Sequence, residues 1–311
     1  MIQRVSKAAF SSLAASTTLK DFASAYGMRS PRSFARRFIA GETIAEAIDT
    51  ARAIEDAGMH QTLDLLGESV GSATEADAAT RTYLGMLDTI VAAGIGRNIS
   101  LKLTQLGLTI DRATCVDNLR RILDEATKHD FFVRIDMENS PFTQVTLDVF
   151  ETMWQQGYRN VGVVLQSALP RSVEDAKRMN ELGARVRVVK GAYKEPRSVA
   201  YQDKVRVDAA FVEITRLLLS HGTYPAIATH DPAMIAAARA YAVQHDIAPA
   251  RFEFQMLYGV RRDLQAQLTE AGFRVRVYVP FGSEWFPYFM RRLGERPANV
   301  GFVMRAIFAE R

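Results

Sequence analysis

The stretch VGVVLQSALPRSVEDAKRMNELGARVRVVK, residues 161–190, carries one full repeat of the chain's plan. Val161–Gln166 is a short apolar run rich in β-branched residues, the pattern of a buried strand. Val173–Gly183 spaces its apolar residues near the helical period and closes on a glycine, a favoured helix stop. Val186–Lys190 is a second β-branched run. Working outward, the same unit recurs. Further runs lie at Thr62–Leu66, Ile99–Leu103, Phe131–Asp136, Ala226–Thr229, Phe252–Gln255 and Arg274–Val279. Helical patterns fall between them at Arg112–Thr127, Val205–His221 and Ala233–His245. Gly94, Gly157, Gly222 and Gly272 repeat the glycine stop, and Asp231-Pro232 reads as an N-cap followed by proline at the first helical position. Alternating strands and helices build a parallel sheet, and eight repeats argue for a closed (βα)8 barrel of the TIM type rather than an open sheet. No G-x-G-x-x-G follows the first strand, which removes the main signature of the open alternative. The chain reads as a single barrel domain over residues 1–311. Residues 1–60 form an N-terminal helical cap (Ile2–Tyr26, Pro31–Phe38, Ile44–Ala57). Two helical pieces, Trp285–Leu293 and Ala298–Phe308, follow the last strand near the active-site face.

The composition is that of an ordinary globular protein, with 48% hydrophobic and 24% charged residues. One cysteine, Cys115, excludes an internal disulfide framework and a cysteine-rich metal site. Five histidines without H-x-x-x-H spacing argue against a metal centre, and the absence of G-x-S-x-G and S-x-x-K argues against a serine nucleophile. The net charge of +4 is mild, and no basic run is interleaved with aromatics, so nucleic acid is not an expected partner. No apolar run reaches the roughly 20 residues of a membrane span, and no signal core opens the chain, which makes the cytoplasm the expected location.

Barrel enzymes place their chemistry at the C-terminal ends of the strands. Here those ends carry Glu68, Lys102, Asp136, Gln166, Arg187, Lys190, Thr229, His230, Glu253, Gln255 and Tyr278. A charge inside an apolar strand is costly unless it is paired or functional. A structural ion pair explains Lys102 or Asp136 alone equally well; Arg187 and Lys190 in one strand ask for more. Gly191-Ala192 permits close backbone approach to a flat or anionic group, and Thr229-His230-Asp231-Pro232 sets a helix N-terminus at a strand end, where a phosphate could sit. Beyond the last strand, YFMRRLG (Tyr288–Gly294) places Arg291 and Arg292 side by side, with Tyr288 at i−3 and i−4. Two guanidinium forks can grip one carboxylate from a helix flank, although an isolated Arg-Arg is more often a solvated helix end.

Taken in order, LDLLGE, ISLKL, RIDME, VLQ, RVVKGAY, ATHD, FEFQMLYG, VRVYVPFG and YFMRRLGERPANVGF resemble the proline dehydrogenase family over nearly the whole chain. The compact length is similar to the monofunctional bacterial form. It is also similar to the proline dehydrogenase domain of the bifunctional proline utilisation A enzymes, without their further modules. The resemblance implies FAD as cofactor and oxidation of L-proline to Δ1-pyrroline-5-carboxylate, the first step of proline catabolism. It also implies hydride transfer from C5 of proline to flavin N5, a quinone as electron acceptor, and a separate pyrroline-5-carboxylate dehydrogenase downstream.

By the same resemblance Arg291, Arg292 and Lys102 bind the substrate carboxylate, and Glu68 pairs with Arg291 to close the site. Asp136 orients one of these cations, and Tyr278, Tyr288, Leu257 and Ala192 wall the ring. Arg187 stands near flavin N5; Gln166, Val189 and Gly191 bound the flavin and ribityl portion; and Lys204, Thr229 and His230 meet the pyrophosphate and adenosine end. Arg187, Asp136 and Tyr278 form the catalytic group. The chain departs from the bifunctional enzymes at Lys194, where they carry Trp, and at Asp231, where they carry Asn; an aspartate there favours helix capping.

Two other functions compete. A Schiff-base aldolase on the same barrel would use Lys102 or Lys190 as nucleophile. A non-catalytic proline sensor would act with a partner or at a membrane. The segment Ile2–Phe38 is amphipathic and carries Arg4, Lys7, Lys20, Arg29, Arg32, Arg36 and Arg37. It would suit peripheral contact with the inner face of the cell membrane, although a solvated helix face is the commoner meaning of such a pattern.

Overall fold

The computed structural model describes Met28, Ser33 and residues 35–295, with the backbone alone for 293–295. The expected helices at Ile2–Tyr26 and Ala298–Phe308 lie outside the described residues, as do residues 31, 32 and 34 of the expected Pro31–Phe38.

Eight parallel strands close into a barrel in sequence order. They are β1 (His60–Leu65), β2 (Asn98–Leu101), β3 (Phe132–Ile135), β4 (Val161–Gln166), β5 (Arg185–Val189), β6 (Ala226–Ala228), β7 (Glu253–Leu257) and β8 (Val275–Phe281). β8 pairs with β1 along six residues, from His60↔Arg276 to Leu65↔Phe281, which seals the cylinder. The helices are α1 (Ile44–Asp56), α2 (Ala73–Ala93), α3 (Arg112–Lys128), α4 (Ser140–Gln155), α5 (Ser172–Leu182), α6 (Lys204–His221), α7 (Pro232–Gln244), α8 (Arg262–Glu270) and α9 (Trp285–Glu295). Their starts are written locally. Ser72, Asp111, Asp203 and Asp231 each accept a first-turn N–H, and Thr43 with Glu46 makes a capping box. Gly94 and Gly183 close α2 and α5 in the left-handed conformation, whereas Gly222 closes α6 in extended backbone.

All eight strands expected from the sequence are present, with no end shifted by more than two residues. One shift has consequences. β7 begins at Glu253 and runs on to Leu257, so Glu253 stands at the base of the barrel and not at its active-site end. There it takes a two-pronged bond from Arg276, at 2.8 and 3.0 Å. Burial alone would push the Glu253 carboxyl up, yet Arg276 and Gln255 hold it below the ordinary glutamate range. Glu253 therefore drops out of the set of polar residues at the active-site ends of the strands.

Side chains alternate along a strand, and closure of the barrel decides which set faces in. The outward set is aliphatic: Leu63, Ile99, Leu101, Val133, Ile135, Val186 and Val188 are fully buried against the helices. The inward set is polar. Thr62 meets Ser100, Lys102 meets Asp64, and Arg187 reaches both Asp136 and Ser100 across the lumen. The lumen is thus a hydrogen-bonded network wrapped in an aliphatic sleeve.

A second, separate apolar cluster sits outside the sleeve. Ala35, Phe38 and Ile39 pack with Leu66 and with Trp285, Phe286, Phe289 and Met290 of α9. The Trp285 indole N–H donates to Glu42 Oε1 at 2.9 Å, and Ala40 N–H and Gly282 N–H tie this segment to the end of β8. Gly259 passes so close to Arg37 that a Cβ would fall 1.6 Å from its carbonyl oxygen, which admits no other residue there. Through these contacts α9 is held across the barrel mouth.

Candidate active site

A cavity of about 530 Å³ opens at the C-terminal end of the strands. Its cations come from three places in the fold: Lys102 after β2, Arg187 in β5 with Lys190 just beyond it, and Arg291 and Arg292 on α9. Tyr278, Tyr288, Leu257 and Ala192 supply its less polar wall, and Asp136, Gln166, Val189, Gly191, Thr229 and His230 complete the expected set within it.

Arg187 is the most firmly held of these. Nη1 donates to Asp136 Oδ1 at 2.7 Å and Nη2 to Ser100 Oγ at 3.2 Å, leaving Nε buried without a hydrogen-bond partner among the described residues. Asp136 is shared: its Oδ2 accepts from the Tyr278 hydroxyl at 2.7 Å. Burial and the two carboxylates Asp136 and Asp64 push the Tyr278 hydroxyl well above its usual pKa, so it stays a donor. Asp136 therefore orients Arg187 and Tyr278.

On the opposite side Arg291 Nη2 donates to Glu68 Oε1 at 2.6 Å. Burial would lower the Arg291 guanidinium, but Glu68 and Tyr193 hold it above its ordinary value. Glu68 stands outside the cavity lining and is bonded to it through Arg291. The Arg292 guanidinium lies 5.2 Å from the Tyr288 ring centroid, so the tyrosine one turn earlier supports the arginine face.

The far end of the cavity is built from the strand-to-helix turns after β5 and β6. Gly191, at φ 109, lies flush on Gln166, where a Cβ would meet Oε1 at 3.0 Å. His230 Nε2 accepts from Leu257 N–H at 2.9 Å, which fixes Nδ1 as the nitrogen that carries hydrogen. Asp231 caps α7 by accepting from Ala233 N–H at 3.1 Å and also binds Lys190 at 2.8 Å. Lys190 is held from the other side by Asp208 at 2.5 Å. Lys204 is not in the cavity: its side chain is 73% exposed at the rim, paired with Asp208 and Asp231.

Four residues that matter here escaped the sequence reading. Asp64 is fully buried on β1 and carries Lys102, with 3.2 and 3.4 Å from Nζ to its two oxygens. Glu138 is buried and takes Thr104 N–H at 3.2 Å and Thr104 Oγ1 at 2.6 Å. Tyr193 lines the cavity between Lys102 and Arg291, and Glu195 pins the loop after β5 to the start of α4 through Ser140, at 2.7 and 2.5 Å. Tyr193 was visible as the last letter of RVVKGAY; Asp64 was visible only as a charge in the middle of a strand.

The arrangement is a polar lumen that opens onto a cationic pocket. The proline dehydrogenase family model matches residues 47–305, which includes the polar lumen strands and the arginine pair. The chain belongs to the proline dehydrogenase family. Membership makes it an oxidoreductase. It is 41% identical over 295 residues to proline dehydrogenase 1 of Bacillus subtilis, covering 95% of this chain and 96% of that one. It is 40% identical to proline dehydrogenase of Deinococcus radiodurans over 279 residues, covering 88% and 90%. The solved structure of proline utilisation A from Bdellovibrio bacteriovorus, inactivated by N-propargylglycine, superposes with a TM-score of 0.79 at 28% identity. That match covers 83% of this chain and 32% of the larger one. The (βα)8 barrel expected from the sequence is thus the family's own.

Proposed function

We propose that this chain oxidises L-proline to Δ1-pyrroline-5-carboxylate with FAD as cofactor and passes the electrons to a quinone. The observation that carries the reading is the convergence of Lys102, Arg187 and the Arg291-Arg292 pair on one cavity from three separate points of the chain. The cavity suits FAD on two counts. Gly191 leaves a flat face where any side chain would intrude, and Arg187 Nε and Gln255 Oε1 are buried polar atoms without a partner among the described residues. Gln166, Arg187, Val189 and Gly191 would hold the flavin portion, with Thr229 and His230 toward the adenosine end. When bound, the flavin supplies the hydride acceptor at N5.

The chain's own residues have the remaining work. Arg291 and Arg292 grip the carboxylate with Lys102, which fixes the ring face presented and holds C5 in one orientation. Tyr278, Tyr288, Leu257 and Ala192 exclude water from the ring. Oxidation removes a hydride from C5 and the nitrogen's proton, so the amine must be neutral when the hydride leaves. The surrounding cations favour that neutral form by lowering the amine's pKa. Arg187, locked by Asp136 and Ser100, would offer fixed positive charge to a bound flavin and favour its reduced form. The Glu68–Arg291 pair, reachable by solvent, opens to admit substrate.

The aldolase reading fares worse. Burial would release the Lys102 proton, but Asp64, Asp136 and Glu68 together hold its ammonium above the ordinary range, and a protonated amine is no nucleophile. An absorbance spectrum before and after anaerobic proline addition tests the proposal. A flavin band bleached by proline is expected; a colourless protein, or a band indifferent to proline, overturns it.

A further inference from the structure

Asp64 does not itself line the cavity, yet it carries one of the cavity's cations. It is 0% exposed, and it lies opposite Ser100 in the β1–β2 register. Lys102 follows two residues later on the same face of β2's extension, so backbone pairing alone brings the two side chains together. Both carboxylate oxygens lie within 3.4 Å of Nζ.

We propose that Asp64 is a positioning residue for substrate binding: from inside the barrel wall it keeps the Lys102 ammonium charged and seated at the carboxylate end of the cavity. The inference rests on the reading of Lys102 as a carboxylate-binding cation. A lysine this deeply buried sheds its proton unless a partner holds it. The groups that face Lys102 are Asp64 from β1, Glu68 beyond β1, Asp136 and Glu138 beyond β3, Tyr193 beyond β5, and Arg291 from α9. Their other commitments single out Asp64. Asp136 bonds Arg187 and Tyr278, Glu68 bonds Arg291, and Glu138 bonds Thr104. Asp64 also takes a hydrogen bond from Tyr278, but its one ion pair among the described residues is with Lys102. Burial pushes the Asp64 carboxyl up against the pull of Lys102, and Asp64 in turn holds the Lys102 ammonium above its ordinary range, so each member sustains the other's charge.

The test compares Asp64→Asn, Lys102→Met and the double variant in the flavin-loaded enzyme. Proline KM, kcat and flavin content are followed from neutral to mildly alkaline pH and taken as ratios to the parent, which cancels titration of proline itself. Lys102→Met is expected to raise KM about tenfold, the usual size of one lost charged contact, with a flat ratio. Asp64→Asn is expected to raise KM similarly, with a ratio that climbs as pH rises because Lys102 now loses its proton; kcat and flavin content stay near parental. The double variant should match Lys102→Met. A flat, parental KM in Asp64→Asn beside a raised KM in Lys102→Met overturns the proposal and leaves the role of Lys102 standing. An unchanged KM in Lys102→Met removes that role, and the proposal with it. If Asp64→Asn fails to fold, the double variant decides, since it orphans no charge. Equality with Lys102→Met supports Asp64 acting through Lys102, and a further rise in KM overturns it.

Discussion

Two ion pairs flank the carboxylate end of the cavity, and they differ in where they are anchored. Lys102–Asp64 joins neighbouring strands of the barrel wall, with side chains 8% and 0% exposed. Arg291–Glu68 joins a helix to a loop, with side chains 31% and 32% exposed. The chemistry is alike and the consequence is not. A strand-borne pair sealed from water cannot break without stranding a charge, so it serves as framework. A helix-borne pair wetted on both sides breaks and re-forms at small cost, so it serves as a gate. Arg187–Asp136, buried and strand-borne, belongs with the first kind.

The comparison can be broken or sharpened by substitution. Arg187→Met attacks the framework. It should cut kcat by about 100-fold or more, the usual cost of a lost electrostatic stabiliser. It should also shift the flavin potential downward and destabilise the fold by about 3–5 kcal/mol, because Asp136 is left buried and unpaired. An unaltered potential in redox titration would detach Arg187 from N5. Arg292→Lys tests the α9 side of the cavity. Loss of the planar fork should raise proline KM by about tenfold with flavin retained; steady-state kinetics with an unchanged KM would remove the arginine pair from the substrate site. Trp285→Phe leaves both pairs intact but cuts the tie between α9 and Glu42. It should lower stability by about 1–3 kcal/mol and raise KM while kcat holds. A melt and kinetics that both stay parental would show that α9 needs no such tether. Glu68→Gln should do least, changing stability by under about 1 kcal/mol. Its effect on KM should be within about threefold and fade as salt screens the pair. A salt-independent collapse of binding would show that this pair is framework after all.

Most of the architecture was legible before any coordinates. Runs such as VGVVLQ and the glycine-terminated helix after it are local signals, and local sterics settle them. The site was legible in pieces. Lys102, Asp136, Arg187 and Lys190 stood out as charges in costly places, Arg291 and Arg292 as a pair able to grip a carboxylate, and RVVKGAY carried Tyr193 without its role being seen. Three things were not readable. Glu253 was placed at the active-site end because the run Phe252–Gln255 stopped two residues short of β7's true end. Lys204 was assigned to the cofactor, yet α6's first turn points it to solvent. Asp64 was passed over, since a charge inside a strand faces either the sleeve or the lumen.

Chain order and residue type set the eight strands, their intervening helices and the cost of each embedded charge, because those depend on neighbours within a turn or two. Which charges meet was decided by closure of the barrel. The β8–β1 seam and the β1–β2 register put Asp64 on Lys102 and Tyr278 on Asp136. The cluster of Phe38, Ile39, Leu66 and Trp285 laid α9 and its arginines over the mouth. Contacts between residues tens to hundreds of positions apart leave no local trace, and only packing reveals them.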